Sequence, residues 1–104
     1  MKPLDFRPRA VEDLHAAIDY YLQEAAHVAA RFEAAINEAV SLIARAPGVG
    51  SPSLADLLDI EGLRFVPLEN FPYAIFYRDF GSEIRVLRLL HRRRDLANLA
   101  GLDD

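Results

Sequence analysis

The chain has no cysteine, only one lysine, and no apolar run approaching the roughly 18 residues that a membrane-spanning helix requires. Without thiols, disulfides and thiolate metal sites are excluded. The opening MKPLDFRPRA carries no apolar segment of the kind a secretory signal needs, so the expected location is the cytoplasm and no membrane partner is expected. His15, His27 and His91 are far apart and match no HExxH spacing, so no metal is expected. Nor is any cofactor expected. There is neither GxxxxGK[ST] nor GxGxxG, and Gly48-Val49-Gly50 reads as a helix stop. None of the four serines, at 41, 51, 53 and 82, lies in a GxSxG context.

What is present is an ordinary globular composition, 52% hydrophobic and 27% charged, over 104 residues. That length predicts a single domain, residues 1–104, with one core. The net charge is −4, which disfavours nonspecific or direct high-affinity nucleic-acid binding, because such binding rests on phosphate neutralisation. Apart from Lys2, every basic residue is arginine, whose planar fork suits carboxylate or phosphate. The charge is uneven. Residues 1–61 are rich in acids, whereas residues 62–104 hold seven arginines, three of them consecutive at 92–94.

Periodicity gives the expected elements. Leu4 and Phe6 alternate with Asp5, as in a short strand. Pro8 suits the first turn of a helix over about 8–24, whose apolar stripe is Val11, Leu14, Ile18, Tyr21 and Leu22. Glu12 and Asp13 are expected as dipole partners on the solvated surface, and Tyr20 and Tyr21 as packing residues. A second helix over about 27–45 carries Val28, Phe32, Ile36, Ala39, Val40 and Ile43, and the short gap predicts a helical hairpin. Pro47 to Ser53 is a turn-rich connector, and residues 54–60 are compatible with a helical turn. The period then falls to 2, predicting strands at 62–70, 72–80 and 83–91 in an antiparallel meander. Pro67 places its strand at an edge.

The fold class is therefore α+β, a short strand and a helical hairpin on one face of an antiparallel sheet. Strict alternation directs Leu63, Phe65, Tyr73, Ile75, Tyr77, Leu87 and Leu89 to the helices. It leaves Arg64, Phe76, Arg78, Val86, Arg88 and Leu90 on an open face, an apolar surface studded with arginine that calls for a partner.

Several short motifs stand out: F-x-P-R-A-x-x-D-L from Phe6 to Leu14, P-G-x-G from Pro47 to Gly50, and G-L-R from Gly62 to Arg64. Most specific are F-P-Y-x-I-F-Y-R from Phe71 to Arg78 and I-x-V-L-R-x-L-H-x-R-R-D-L from Ile84 to Leu96. Together they resemble the ParE branch of the RelE/ParE superfamily, toxins of bacterial type II toxin–antitoxin modules. The resemblance implies a helical hairpin against an antiparallel sheet, a ParD-like antitoxin as partner, and a non-enzymatic toxin that poisons DNA gyrase. The alternatives are a RelE-like, ribosome-dependent messenger endoribonuclease, and a module that binds its antitoxin without toxicity. Arg64 and Arg92 match two RelE-type arginines. However, residues 47–61 contain no lysine or arginine, and Asn98 stands where the resemblance leads one to expect a tyrosine. Asparagine cannot act as a general acid or base at neutral pH.

The expected toxic surface is Arg64, His91, Arg92 and Arg94, with no catalytic residue. The expected antitoxin contacts are Arg64, Phe76, Arg78, Val86, Arg88 and Leu90. On an extended chain Arg92 and Arg93 would point to opposite sides, with Arg94 returning to the side of Arg92.

Overall fold

The structure, a computed structural model, describes residues 1–95. It begins with β1 (Leu4–Phe6), and strand pairing continues up to the helix that follows, because the Arg7 N–H donates to the Val86 carbonyl at 2.9 Å. Pro8 then opens α1 (Pro8–Glu24), where its missing N–H would have had no helical partner. One extended residue, Ala25, separates α1 from α2 (Ala26–Arg45). Its N–H bonds back to the Tyr21 carbonyl, and its own carbonyl accepts from Val28 and Ala29. Ala25 therefore serves both helix ends through its backbone alone, without the polar cap or glycine that usually marks a helix boundary in sequence.

The helical stripe differs from the one expected on α1. Ala10 and Ala17 are fully buried, with Leu14, Ile18 and Tyr21 packed beside them, whereas Val11 is 37% and Leu22 52% exposed. Small residues at the centre of the contact let the helix approach its neighbours closely, and larger ones flank it. On α2 the buried line is Ala29, Phe32, Ile36, Ala39, Ile43 and Ala44, close to the expected one. The helix ends at Ala46, and Pro47–Val49 makes a single 3₁₀ turn.

The remaining strands are β2 (Arg64–Pro67), β3 (Tyr73–Asp79) and β4 (Ile84–His91). Sheet order is β1-β4-β3-β2. The last three strands form the expected antiparallel meander, but β1 pairs with β4 in parallel, so the sheet is mixed. β2 lies at an edge with Pro67 at its end, where a missing donor breaks no ladder.

A bulge corrects the expected faces. Tyr77 pairs with Val86 and Phe76 with Arg88, so β4 carries one extra residue, Leu87. Val86 consequently faces the helices with Tyr77 and Ile84, and Leu87 turns to the opposite face. Leu63 and Phe65 also lie on that opposite face, not beneath the helices.

Nor is the second face open. Leu54, Ala55, Leu58, Ile60 and Leu63 cover Ala74, Phe76, Leu87 and Leu90, forming a second apolar cluster. The covering segment is a run of hydrogen-bonded turns rather than a helix. Leu58 N–H donates to the Leu54 carbonyl, Asp59 takes a left-handed φ of 54°, and Ile60 N–H closes back on Ala55 at 2.9 Å. Among the described residues no helix is long and apolar enough to cross a membrane.

Candidate functional site

β4 ends in a tight cationic turn. His91 is the last paired residue, opposite Tyr73, and its ring meets the Tyr73 ring edge-on at 5.2 Å. Its Nδ1 accepts from the N–H groups of Arg93 at 3.2 Å and Arg94 at 3.0 Å. In the neutral ring the hydrogen is therefore on Nε2, the nitrogen not engaged by the turn. Asp95 completes the closure. Its carboxylate accepts from the His91 N–H at 2.9 Å, and its own N–H donates to the His91 carbonyl. Arg92 N–H donates to the Pro72 carbonyl at 2.7 Å, fastening the turn to the start of β3.

This turn redistributes the three arginines. They do not continue the strand, so side chains do not alternate. Arg94 folds onto Asp95, with Nε 3.1 Å from Oδ1. That hydrogen bond raises the Arg94 guanidinium above its ordinary value, and it holds the Asp95 carboxyl below its own. Arg92 and Arg93 instead line one open pocket of about 410 Å³ with Pro72 and His91. Both are exposed, and among the described residues neither guanidinium has a side-chain partner. The pairing of Arg92 with Arg93, rather than with Arg94, was not legible in the sequence.

Arg64 lies elsewhere. It pairs with Tyr77, four residues along β3 from Tyr73, hence about 13 Å away along the strand at roughly 3.3 Å per residue. Its Nη1 donates to the carbonyls of Gly50 at 2.7 Å and Gly48 at 3.2 Å. The same loop is held by Tyr77, whose hydroxyl donates to the Pro47 carbonyl at 2.7 Å and accepts from Gly50 N–H at 2.9 Å. Burial raises the Tyr77 phenol above its ordinary pKa, so the hydroxyl stays a donor. The structure therefore brings His91, Arg92 and Arg94 together in one turn and leaves Arg64 apart, as a clamp on the Pro47–Gly50 loop.

The residues expected to meet an antitoxin are mostly closed off. Val86 is fully buried under the helices. Phe76 and Leu90 are buried beneath the 54–63 segment. Arg88 is 9% exposed and bound to Asp13 of α1, with Nε–Oδ2 2.6 Å and Nη2–Oδ1 2.9 Å. Asp13 also accepts from Leu89 N–H at 3.0 Å, past the point where β1 stops pairing with β4. The hydrogen bonds that Arg88 donates to the Asp13 carboxylate raise its guanidinium above the ordinary value. Asp13 is thus a half-buried structural carboxylate, not a solvated dipole partner. The sequence placed Glu12 and Asp13 alike at a helix head, and only the docking of α1 on β4 separates them. Arg64 and Arg78 remain half-buried. Arg78 and its cross-strand neighbour Arg85 both lie against the ring of Phe80, at 4.8 and 4.3 Å from its centre.

Between the second apolar cluster and the cationic turn is a cavity of about 230 Å³, lined by Leu54, Phe65, Ala74, Phe76 and Leu90 and rimmed by His91, Arg92 and Asp95. The Phe65 and Phe76 rings stack at 5.4 Å.

Residues 4–96 match the family described as ParE toxin of type II toxin-antitoxin system, parDE. The chain belongs to the ParE toxin family. Among solved structures it is similar to the "Chromosomal ParDE TA system from P. aeruginosa", at 29% identity and a TM-score of 0.72, covering 88% of this chain and 96% of that chain. No curated protein sequence matches it significantly. This ParE-family chain is the toxin component of a toxin–antitoxin system, and such a system supplies an antitoxin as partner. Several residues that carry the resemblance hold one another in place. Pro47 and Gly50 meet Tyr77, Arg64 meets Gly48 and Gly50, and Gly62 takes a φ of 76° just before β2.

Proposed function

We propose that this ParE-family toxin acts in the cytoplasm without catalysing a reaction, by poisoning DNA gyrase, and that a ParD-like antitoxin neutralises it. The observation that carries the non-catalytic part is the separation of the two arginines that correspond to RelE-type positions. Arg64 spends its guanidinium on the Gly48 and Gly50 carbonyls, while Arg92 stands at the other end of β3. A nuclease needs its charge-stabilising and proton-transferring groups within reach of one phosphate. His91, the acid–base side chain next to Arg92 in the chain, uses Nδ1 to hold the turn. The gyrase target and the ParD-like partner are supported by family membership.

The test uses purified toxin, gyrase, ATP and supercoiled plasmid, run beside messenger on translating ribosomes. Gyrase-linked linear DNA with intact messenger is the expected result. Cut messenger with no effect on gyrase would replace this reading with the ribonuclease one.

A further inference from the structure

The apolar cavity and the pocket at the cationic turn share His91 and Arg92 in their linings, so the two adjoin. Among the described residues the cavity walls are five apolar side chains, and these offer no side-chain hydrogen-bond partner to a sugar or a base edge. At about 230 Å³ the cavity is also smaller than the roughly 300–1,000 Å³ typical of small-molecule sites. It has room for one large apolar side chain. An apolar pocket beside a charged rim is where a protein partner seats an anchor residue.

The rim decides the charge of the partner. Among the described residues its one carboxylate, Asp95, is already engaged by the His91 N–H and by Arg94. Arg92 and Arg93 are exposed without a side-chain partner among the described residues, and they line the pocket with His91. Two arginine forks beside an apolar hole complement carboxylates flanking an apolar residue.

We propose that this surface is a docking site for an acidic segment of a partner protein. One large apolar side chain of that segment sits among Leu54, Phe65, Phe76 and Leu90, and its carboxylates lie on Arg92 and Arg93. The inference rests on the reading above only in taking the chain to act through protein partners rather than by catalysis.

The test is fluorescence anisotropy of the full chain with a short fluorescein-labelled synthetic peptide, one phenylalanine flanked by glutamates. A twin peptide has alanine in place of phenylalanine, and an oligothymidylate serves as the nucleic-acid arm. The phenylalanine peptide is expected to bind at least about tenfold tighter than its twin, and to weaken as salt rises. Arg92→Glu with Arg93→Glu, on an exposed turn that needs no repacking, is expected to lower its affinity at least about tenfold. Ala74→Met, which fills the cavity, is expected to abolish the difference between the two peptides.

Equal binding of the two peptides, indifference to the arginine changes, or preference for the oligonucleotide would overturn the proposal. So would methyl contacts from Leu99 or Leu102 to Phe76 in the free chain, which would assign the cavity to the chain's own last residues. The assay contains no gyrase, so its failure and a negative gyrase assay are separate results.

Discussion

Asp13 and Arg88, on the first helix and the last strand, are joined by two hydrogen bonds of 2.6 and 2.9 Å, and Asp13 takes a third from the Leu89 N–H. One carboxylate thus ties α1 to the stretch of β4 that β1 is too short to cover. Among the described residues Arg88 Nη1 is buried without a partner, so the cation depends on Asp13 for its compensation. Asp13→Ala leaves that charge and the Leu89 amide stranded. The expected loss is about 3–5 kcal/mol, read as a fall in the urea midpoint. Arg88→Met together with Asp13→Leu is expected to recover most of it, since an apolar pair of similar size removes both desolvated charges.

Arg88→Glu would place a second acid against Asp13. It is expected to unfold the toxin rather than to weaken an interface selectively. Circular dichroism on the isolated variant separates the two outcomes, and a folded variant would return Arg88 to the list of surface residues.

Gly50 and Tyr77 share a space with no room for a methyl group. A Cβ on Gly50 would lie 2.5 Å from the Tyr77 hydroxyl oxygen and 3.0 Å from the Cβ of Arg64. Gly50→Ala is therefore expected to destabilise by about 1–3 kcal/mol. Tyr77→Phe strands the Gly50 N–H and the Pro47 carbonyl, for about 1–3 kcal/mol of its own. Removal of the hydroxyl relieves the shortest of these contacts but leaves the ring Cε1 at 2.9 Å, so the double variant should be somewhat more stable than the sum of the two predicts. Simple additivity in urea melts would show that the contact is relieved in some other way.

Asp95 closes the cationic turn, and Arg94 holds its carboxyl below the ordinary value near 3.8. The stabilisation is complete above the unfolded pKa of about 3.9 and disappears as pH falls through the lower folded value. Asp79 behaves alike, lowered first by its hydrogen bond from Lys2 and then by Gly81 N–H. The wild-type urea midpoint should therefore drop as pH falls below about 4. Asp95→Asn should be less stable at neutral pH and show a shallower acid limb. Parallel curves would remove Asp95 from the acid response.

Arg92 and Arg93 line one pocket, so their effects on toxicity should act together. With expression levels of soluble protein matched, Arg92→Ala and Arg93→Ala are each expected to reduce killing, and the double variant to reduce it more than tenfold, about 1.4 kcal/mol or more. Arg94→Ala should act mainly through turn stability, visible as a lowered melting temperature. Killing by the double variant at the parental level would make the exposed arginines surface charge alone.

The elements themselves were legible because their signals are local. A 3.6-residue period followed by a 2-residue period, Pro8 at a helix start, Pro47 at a helix stop and Pro67 at an edge all act within a few residues of themselves. They produced α1, α2, the meander and the edge position of β2. The site was less legible, because each error there turned on a contact between distant segments. The extra residue at Leu87 shows no sign in a run of alternating apolar side chains, yet it moves Val86 inward and Leu87 outward.

By itself the sequence determined the order of helices and strands, the helical hairpin, the family resemblance and the concentration of arginine in the last third of the chain. Those follow from side-chain period, backbone restriction and residue type, which every stretch carries with it. Tertiary structure alone decided which arginines are available. Arg88 is neutralised by a carboxylate 75 residues away, Arg64 is held by two loop carbonyls, and Arg94 is turned back onto Asp95. Arg92 and Arg93 are left facing solvent because the turn at His91 uses their backbone and not their side chains. A charge is free or spent according to what packs beside it, and that is a property of the folded chain.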